Sequence, residues 1–150
     1  MEVSKAQKQL KIFAILSLIS GVVALLTAVF AVIGLVQVLN GAENAINSGA
    51  ATADDIGMTS VAIIFGIISA LISGIASIVE WHFLKKAVDD AAKYKAAWVI
   101  AIFSTVMSVI ALLGNLGSGD VQEIVNKVVA LLINGYILYL VSVIRKAASE

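Results

Sequence analysis

Four long stretches without a charged residue dominate this sequence. They cover Ile12–Ala42, Ile56–Val79, Ala96–Gly119 and Val128–Ile144, which are 31, 24, 24 and 17 residues long. An α-helix rises about 1.5 Å per residue, so about 20 apolar residues cross a hydrocarbon core of about 30 Å. The first three stretches reach that length without help. The pattern therefore predicts a chain that crosses a membrane several times.

The fourth stretch is short, but its helix is expected to begin before the stretch does. Asp120 and Glu123 have the spacing of a helix N-cap and its N3 partner. Lys127 follows Glu123 at the favourable i,i+4 distance. The apolar stretches are continuous and do not alternate with a period of two, which excludes barrel strands. We expect four transmembrane helices over about 8–39, 57–84, 95–116 and 121–146.

Composition supports this prediction and excludes other classes of protein. Apolar residues make up 61% of the chain and charged residues 13%, whereas soluble domains are about 45–50% apolar and about 25% charged. This balance excludes a soluble globular domain, a disordered chain and a nucleic-acid-binding protein. There is no Cys, so no disulfide framework or Cys-based metal site is expected. The predicted fold class is all-α, an antiparallel four-helix bundle that forms one domain over 1–150.

The basic residues predict the orientation in the membrane. Nine of the ten lie on one side of the predicted spans. Together with five acidic residues they give that side a net charge of +4, against −4 for one basic and five acidic residues on the other. By the positive-inside rule the basic side is cytoplasmic, and both termini lie there. The nine basic residues are Lys5, Lys8, Lys11, Lys85, Lys86, Lys93, Lys95, Arg145 and Lys146.

Helix 1 is longer than a membrane requires. Its 31 uncharged residues correspond to about 46 Å of helix, and a tilt of about 20° shortens the projection only to about 44 Å. The stretch is also about twice as long as the apolar core of a signal peptide, so we expect an uncleaved span. The excess is expected on the external side. It exposes Leu35, Val36, Val38 and Leu39.

These four apolar residues require cover, and three arrangements provide it. In the first, the Gly-, Asn- and Ser-rich segment Asn40–Gly57 is a loop that folds back over them through Ile46 and Ile56. In the second, they form an external surface for a partner. In the third, Gly34 kinks helix 1 into the membrane interface.

Small residues at spacings of three and four predict how the helices pack. Interhelical contact in lipid depends on close approach and hydrogen bonds. The predicted contact faces of helices 1 and 2 are Ser17, Gly21, Ala24, Ala28 and Ala31, and Ala62, Gly66, Ser69, Ser73 and Ala76. Those of helices 3 and 4 are Ala97, Ala101, Ser104, Ser108, Ala111 and Asn115, and Gln122, Asn126, Ala130 and Asn134. Ile67 is expected to face lipid or a rim. A second small track, Ala62, Gly66, Ala70 and Gly74, either serves a dimer contact or marks a crowded central helix.

Glu80 and His82 are the ionisable residues close to the inner end of a span. Glu80 continues the predicted face of helix 2, so it is expected to point inward, where a carboxylate binds a cation or a proton. The favoured alternative is an ion pair with Lys11, Lys95 or Arg145. Because a metal site needs three or four ligands and there is no second His, His82 is interpreted as part of an aromatic anchor with Trp81.

Asn134 lies in the middle of helix 4, and its amide is expected to bond a Ser on a neighbouring helix. An alternative is a polar intramembrane site that joins Asn134, Asn126 and Asn115 with Glu80. The external acids Glu43, Asp54 and Asp55 lack the spacing of a calcium loop. They are interpreted as a solvated face, with Asp54 or Asp55 as the cap of helix 2, and Asp89–Asp90 as a turn that caps helix 3.

No enzyme pattern is present. The only His lies at the membrane boundary, there is one Arg, and there is no phosphate-binding Gly-rich loop. We therefore expect no catalysis and no cofactor. In length and span number the chain resembles small four-span drug exporters, which place a membrane-embedded Glu in their first helix. Here helix 1 has no charge between Lys11 and Glu43, so the resemblance covers topology alone.

One segment resembles small, largely uncharacterised tetraspan membrane proteins of bacteria. The resemblance covers about twenty residues: Glu80-Trp81 through Lys85-Lys86-Ala87, then Asp89-Asp90 and Lys93, and Trp98 at the start of the next span. It implies a bacterial inner membrane and an accessory role. The sequence thus favours a non-enzymatic tetraspan protein that contacts a membrane partner, a second copy or lipids. The alternative is a minimal homo-oligomeric transporter or pore.

Overall fold

The computed structural model describes residues 2–116 and 120–149, except for the side chain of Asn115. Of these residues, 93% are helical, and none lies in a strand. The four α-helices of this part are α1 (Val3–Asn47), α2 (Ala53–Asp89), α3 (Tyr94–Asn115) and α4 (Val121–Ala148), with a short 3-10 helix (Ala91–Lys93) before α3. All four are long and apolar enough to cross a membrane. The all-helical class and the four apolar helices predicted from the sequence are confirmed.

The connection between α1 and α2 is much shorter than expected. Ala50 donates its backbone N–H to the carbonyl of Ala45 over 2.9 Å, and Gly49 donates to Ile46 over 3.0 Å. This is a Schellman motif, in which Gly49 adopts the left-handed φ of +68° that ends the helix. The expected loop over Asn40–Gly57 is wrong, and so is the fold-back cap built on it.

The start of α2 corrects the expected cap. The backbone N–H of Asp55 donates to the Thr52 hydroxyl over 3.1 Å, and the backbone N–H of Thr52 donates to the Asp55 carboxylate over 2.9 Å. This reciprocal pair is a capping box. Thr52 is therefore the N-cap, and Asp55 is its partner at the third helical position.

The cap predicted for helix 4 is confirmed, whereas Asp90 caps the 3-10 turn before α3 and not α3 itself, whose N-cap Lys93 makes no side-chain cap bond. The Asp90 carboxylate accepts the backbone N–H of Ala92 over 3.0 Å, at the head of the 3-10 turn that leads into α3. The Asp120 carboxylate accepts the backbone N–H of Glu123 over 3.1 Å. Both carboxylates satisfy N–H groups that the first turn of a helix leaves without a partner.

The chain divides into two compact units. We call Leu18–Ile78 the hairpin unit, since it contains the second part of α1, the turn and the first part of α2. The four-helix unit consists of Met1–Ser17 and Val79–Glu150, and thus of the remaining parts of α1 and α2 with α3 and α4. Each unit is described by itself below.

In the hairpin unit, buried and half-buried residues recur at alternating spacings of three and four. On α1 this series is Gly21, Ala24, Ala28, Ala31, Leu35, Val38, Ala42 and Ala45. On α2 it is Ile56, Ser60, Ile63, Ile67, Ala70, Gly74 and Ser77. This spacing is typical of two helices in a left-handed coiled coil. On α1 the series continues to Ala45, beyond the uncharged stretch, which agrees with the extension of this helix past its expected end.

Two glycines permit the closest approach in the hairpin unit. A Cβ added at Gly21 would lie 2.9 Å from the carbonyl oxygen of Gly74, and one added at Gly74 would lie 2.8 Å from the side chain of Leu25. No side chain larger than hydrogen fits at either position unless neighbouring atoms move, and at Gly21 those atoms include the backbone of Gly74. The contact face predicted for α1 is confirmed by the burial of Gly21 and Ala28.

The contact face predicted for α2 is wrong. All five of its members, Ala62, Gly66, Ser69, Ser73 and Ala76, are exposed. A Cβ added at Gly66 would meet nothing within 4 Å. Ile67, expected to face lipid or a rim, is half-buried on the side of Gly74. Small residues occur on two faces of this helix, and the packed face is the one that alternates them with Ile.

The four-helix unit has an apolar core to which every helix contributes. Five large side chains are fully buried: Leu10 of α1, Leu84 of α2, and Leu140, Val141 and Ile144 of α4. From α3, Ala97 and Ala101 are buried at its predicted contact face, which is thereby confirmed at these positions. No polar or charged residue is classed as buried among the described residues.

Candidate functional site

Glu80 is bonded to a hydroxyl inside the four-helix unit. The Ser17 hydroxyl donates to Glu80 Oε2 over 3.2 Å. The other carboxylate oxygen, Oε1, is buried and has no hydrogen-bond partner among the described residues. A buried acceptor without a partner costs free energy, so this oxygen is open to a proton, a water or a small cation. The inward direction expected for Glu80 is confirmed.

The ion pair favoured for Glu80 does not form. Within the described residues, the only ion pair is the exposed Asp90–Lys93 pair, at 3.4 Å. Three basic side chains, of Lys85, Lys86 and Arg145, lie over aromatic rings instead. Lys85 Nζ lies 5.6 Å from the Trp81 ring centre, and the Arg145 guanidinium carbon lies 4.1 Å from that of Trp98. A cation above an aromatic face is stabilised by the ring quadrupole and needs no carboxylate.

Asn134 joins α4 to α3. Its amide Nδ2 donates to the Ser108 hydroxyl over 2.7 Å, and that hydroxyl donates to the carbonyl of Ser104 over 2.9 Å. The expected bond between Asn134 and a Ser of a neighbouring helix is confirmed. This series of hydrogen bonds ends on a backbone carbonyl, so the Asn134 amide N–H and the Ser108 hydroxyl each have a partner within the protein.

The four residues of the alternative polar site have different surroundings. Glu80 bonds Ser17 and Asn134 bonds Ser108, and no hydrogen bond links these pairs in the described part of the chain. Asn126 is exposed, beside Val125 and Gln122 at the start of α4. The side chain of Asn115 lies outside the described residues.

His82 lies within an aromatic rim. Its ring centre is 6.4 Å from that of Trp81 and 5.4 Å from that of Phe83. Among the described residues, no group of three His, Asp or Glu side chains is placed to hold a metal ion. Lys86 Nζ lies 5.5 Å from the Phe83 ring centre, so this rim carries cations on both sides of His82.

A groove between α1 and α2, which sequence reasoning missed, lies beside this rim. It has a volume of about 300 Å³ and is contained in the four-helix unit. Two cations, one carboxylate, one indole and three aliphatic side chains line it: Lys11, Lys85, Asp89, Trp81, Ala14, Ile15 and Val88. The only signal in the sequence was the recurrence of basic and aromatic residues near the helix ends, which does not show which of them meet.

The external surface predicted on helix 1 divides into two faces. Leu35 and Val38 are half-buried on the packed face of α1. Val36 and Leu39 are 50% and 54% exposed. Because α1 continues to Asn47, the residues expected to fold back over the exposed pair are helical up to that point.

Comparison of the chain with protein families, curated proteins and solved structures finds no match.

Proposed function

We propose that this chain is a non-enzymatic, four-span membrane protein with an accessory role, which acts through its contacts with lipids and with other membrane proteins. The observation that supports this best is the apolar interior of the four-helix unit. Leu10, Leu84 and Leu140 are fully buried there. A pore through one copy of the chain needs a continuous row of polar side chains across the membrane. The buried core of the four-helix unit consists of apolar residues, so it interrupts any such row.

The proposed location is a bacterial inner membrane, with both termini in the cytoplasm. The first turns of α1 and the last turns of α2 and α4 pack with the start of α3 around one apolar cluster. Nine of the ten basic residues flank this cluster, and the positive-inside rule places such an end in the cytoplasm. Trp81 and Trp98 lie at the same end, as amphipathic rings do at a membrane interface.

The lipid-organising form of this role rests on the same end of the molecule. A cytoplasmic leaflet carries anionic phospholipids, and each Lys or Arg near its surface adds to the attraction. Since Lys85, Lys86 and Arg145 lie over aromatic rings and form no ion pair with the described carboxylates, their charge is available to phosphates.

The second candidate function is a minimal homo-oligomeric transporter or pore. The observation that favours it is the buried, unpartnered Oε1 of Glu80. A carboxylate that takes up a proton or a cation inside a membrane is a common part of transport pathways. In this case the path would form between copies of the chain.

Reconstitution separates the two functions. The purified chain is placed in vesicles, and release of trapped protons and potassium is compared with release from protein-free vesicles. The accessory role predicts that vesicles with the wild type, Glu80→Gln or the control Ser142→Ala release both ions at the rate of protein-free vesicles. A leak or exchange that the wild type adds and Glu80→Gln abolishes would overturn the accessory role in favour of transport.

A further inference from the structure

The groove between α1 and α2 has one charged end and one apolar end. Lys11 of α1 and Lys85 of α2 line the charged end, here called the mouth. Ile15 lies four residues after Lys11, and Trp81 lies four residues before Lys85, so both lie one helical turn further toward the apolar part of the chain. The mouth therefore suits an anion at a membrane surface, and the deeper wall suits a hydrocarbon.

The charges of the groove define the sign and the magnitude of the charge that its ligand carries. Its two ammonium groups and the carboxylate of Asp89 leave a net charge of +1. A phosphodiester carries one negative charge, so a lipid with an otherwise neutral headgroup balances the groove. A zwitterionic lipid leaves the charge uncompensated.

The size of the groove is also appropriate. About 300 Å³ lies at the lower end of the range of about 300–1,000 Å³ that small-molecule pockets occupy. This holds a headgroup and the first atoms of the acyl esters, and no more. The indole ring of Trp81, half-buried beside Lys85, supplies an N–H donor and a flat apolar wall at the same depth.

We propose that this groove, here called the Lys11–Lys85 groove, is a specific binding site for the phosphodiester headgroup of a singly charged anionic phospholipid. The proposal rests on the lipid-organising function proposed above and adds a place and a ligand class to it. A basic pocket between transmembrane helices on the cytoplasmic side is a physical basis for such recognition. Lys11 and Lys85 hold the phosphate, and Asp89 limits the net charge of the site.

Native mass spectrometry of the full chain in neutral detergent tests the proposal. The probes are phosphatidylglycerol and phosphatidylcholine with identical acyl chains, each titrated into delipidated protein. We expect the first phosphatidylglycerol to bind about tenfold more tightly than phosphatidylcholine. The double variant Lys11→Gln/Lys85→Gln is expected to lose that preference. The matched control, Lys86→Gln/Lys95→Gln, removes the same charge from the rim outside the groove and is expected to retain it within about threefold.

A variant that binds the lipid more tightly must be folded, so it tests the site without the risk that binding is lost through misfolding. Asp89→Asn raises the net charge of the groove from +1 to +2 and is expected to tighten phosphatidylglycerol binding about threefold. Asp54→Asn removes a carboxylate at the other end of α2 and is expected to leave binding unchanged. Weaker or unchanged binding by Asp89→Asn would contradict the charge assignment.

The remaining outcomes separate this site from the proposed function. If both double variants lose the preference equally, a diffuse basic rim attracts anionic lipids, and the groove is not a site. If the wild type shows no preference at all, the lipid-organising function fails as well. The last test adds inorganic phosphate at 10 mM, about the highest dissociation constant expected for a weak anion site. If this phosphate displaces the bound lipid, the groove binds soluble anions and the lipid assignment is overturned.

Discussion

The two units of this chain bury very different side chains. In the four-helix unit, Leu10, Leu84 and Leu140 are completely buried, whereas in the hairpin unit Phe30 and Phe65 are each 68% exposed. The buried positions of the hairpin are small: Gly21, Ala28 and Gly74. Two helices meet along one narrow face, so most of their surface has no protein neighbour. Four helices enclose an interior that large residues fill. The comparison indicates that the hairpin unit depends on lipid or a partner for cover, while the four-helix unit carries its own core.

The largest effect is expected from a cavity in the four-helix unit. Leu140→Ala removes a fully buried side chain and is expected to lower the free energy of unfolding by about 3 kcal/mol, within the usual range of about 2–5. The measurement is unfolding of the chain in mixed detergent micelles, followed by circular dichroism. Leu132→Ala, on the 68% exposed side of the same helix, is the control and is expected to cost about 0.5 kcal/mol or less. Equal effects would show that Leu140 is not in a packed core.

The next effect tests close approach in the hairpin unit. Gly21→Leu forces a side chain against the backbone of Gly74 and is expected to cost about 2 kcal/mol, since overpacking costs about 1–3. Gly66→Leu, on the open face of α2, is the matched control and is expected to be neutral within about 0.5 kcal/mol. Unfolding in detergent ranks the two variants. The reverse ranking would restore the contact face predicted from the sequence, with Gly66 inside.

A smaller effect is expected at the turn of the hairpin unit. Thr52→Ala removes the N-cap hydroxyl of α2 and is expected to cost about 1 kcal/mol. Thr52→Ser retains the hydroxyl and is expected to restore most of this stability. Hydrogen exchange of the first turn of α2 reports the loss locally. If both substitutions raise exchange equally, the capping box does not stabilise this turn.

The smallest effect concerns the polar link of the four-helix unit. Ser108→Ala removes the acceptor of the Asn134 amide and is expected to cost about 0.6 kcal/mol, the average for such bonds in membranes. Ser142→Ala is the control, because the Ser142 hydroxyl bonds only the carbonyl of Leu138 in its own helix. A cost for Ser142→Ala as large as that for Ser108→Ala in the same detergent titration would mean that the interhelical bond adds nothing.

Sequence reasoning succeeded where a local rule determines the structure. The cap at Asp120 follows from side-chain chemistry within three residues, and the packed face of α1 follows from its single row of small residues. On α2 it failed, because Gly66 and Gly74 mark two possible faces and only contact with α1 selects one. The end of α1 was missed for a related reason: Asn40 and Gly41 lower helix propensity by less than about 1 kcal/mol each, which continued pairing of the helices outweighs.

The candidate site was predictable in part for similar reasons. The link from Asn134 to Ser108 follows from the cost of a lone amide in lipid. The inward direction of Glu80 was predicted from a face of α2 that is exposed, so the periodicity argument does not account for it. The partner of Glu80 did not follow either, since Arg145, one of the expected partners, lies over the ring of Trp98. Nor did the Lys11–Lys85 groove, because it combines residues about 70 positions apart in the sequence whose juxtaposition depends on the register of α1 against α2.

Cysteine labelling in intact vesicles tests the central claim most directly: the chain crosses the membrane, and its exposed apolar surface faces lipid. The protein has no Cys, so Ser48→Cys, Phe65→Cys and Ala92→Cys each introduce a single thiol at an exposed position. With a membrane-impermeant maleimide, we predict that position 48 reacts only from the external side and position 92 only from the cytoplasmic side. Position 65 is predicted to react from neither side, although its side chain is free of protein cover. Labelling of positions 48 and 92 from the same side, or rapid labelling of position 65 from water, would contradict the account.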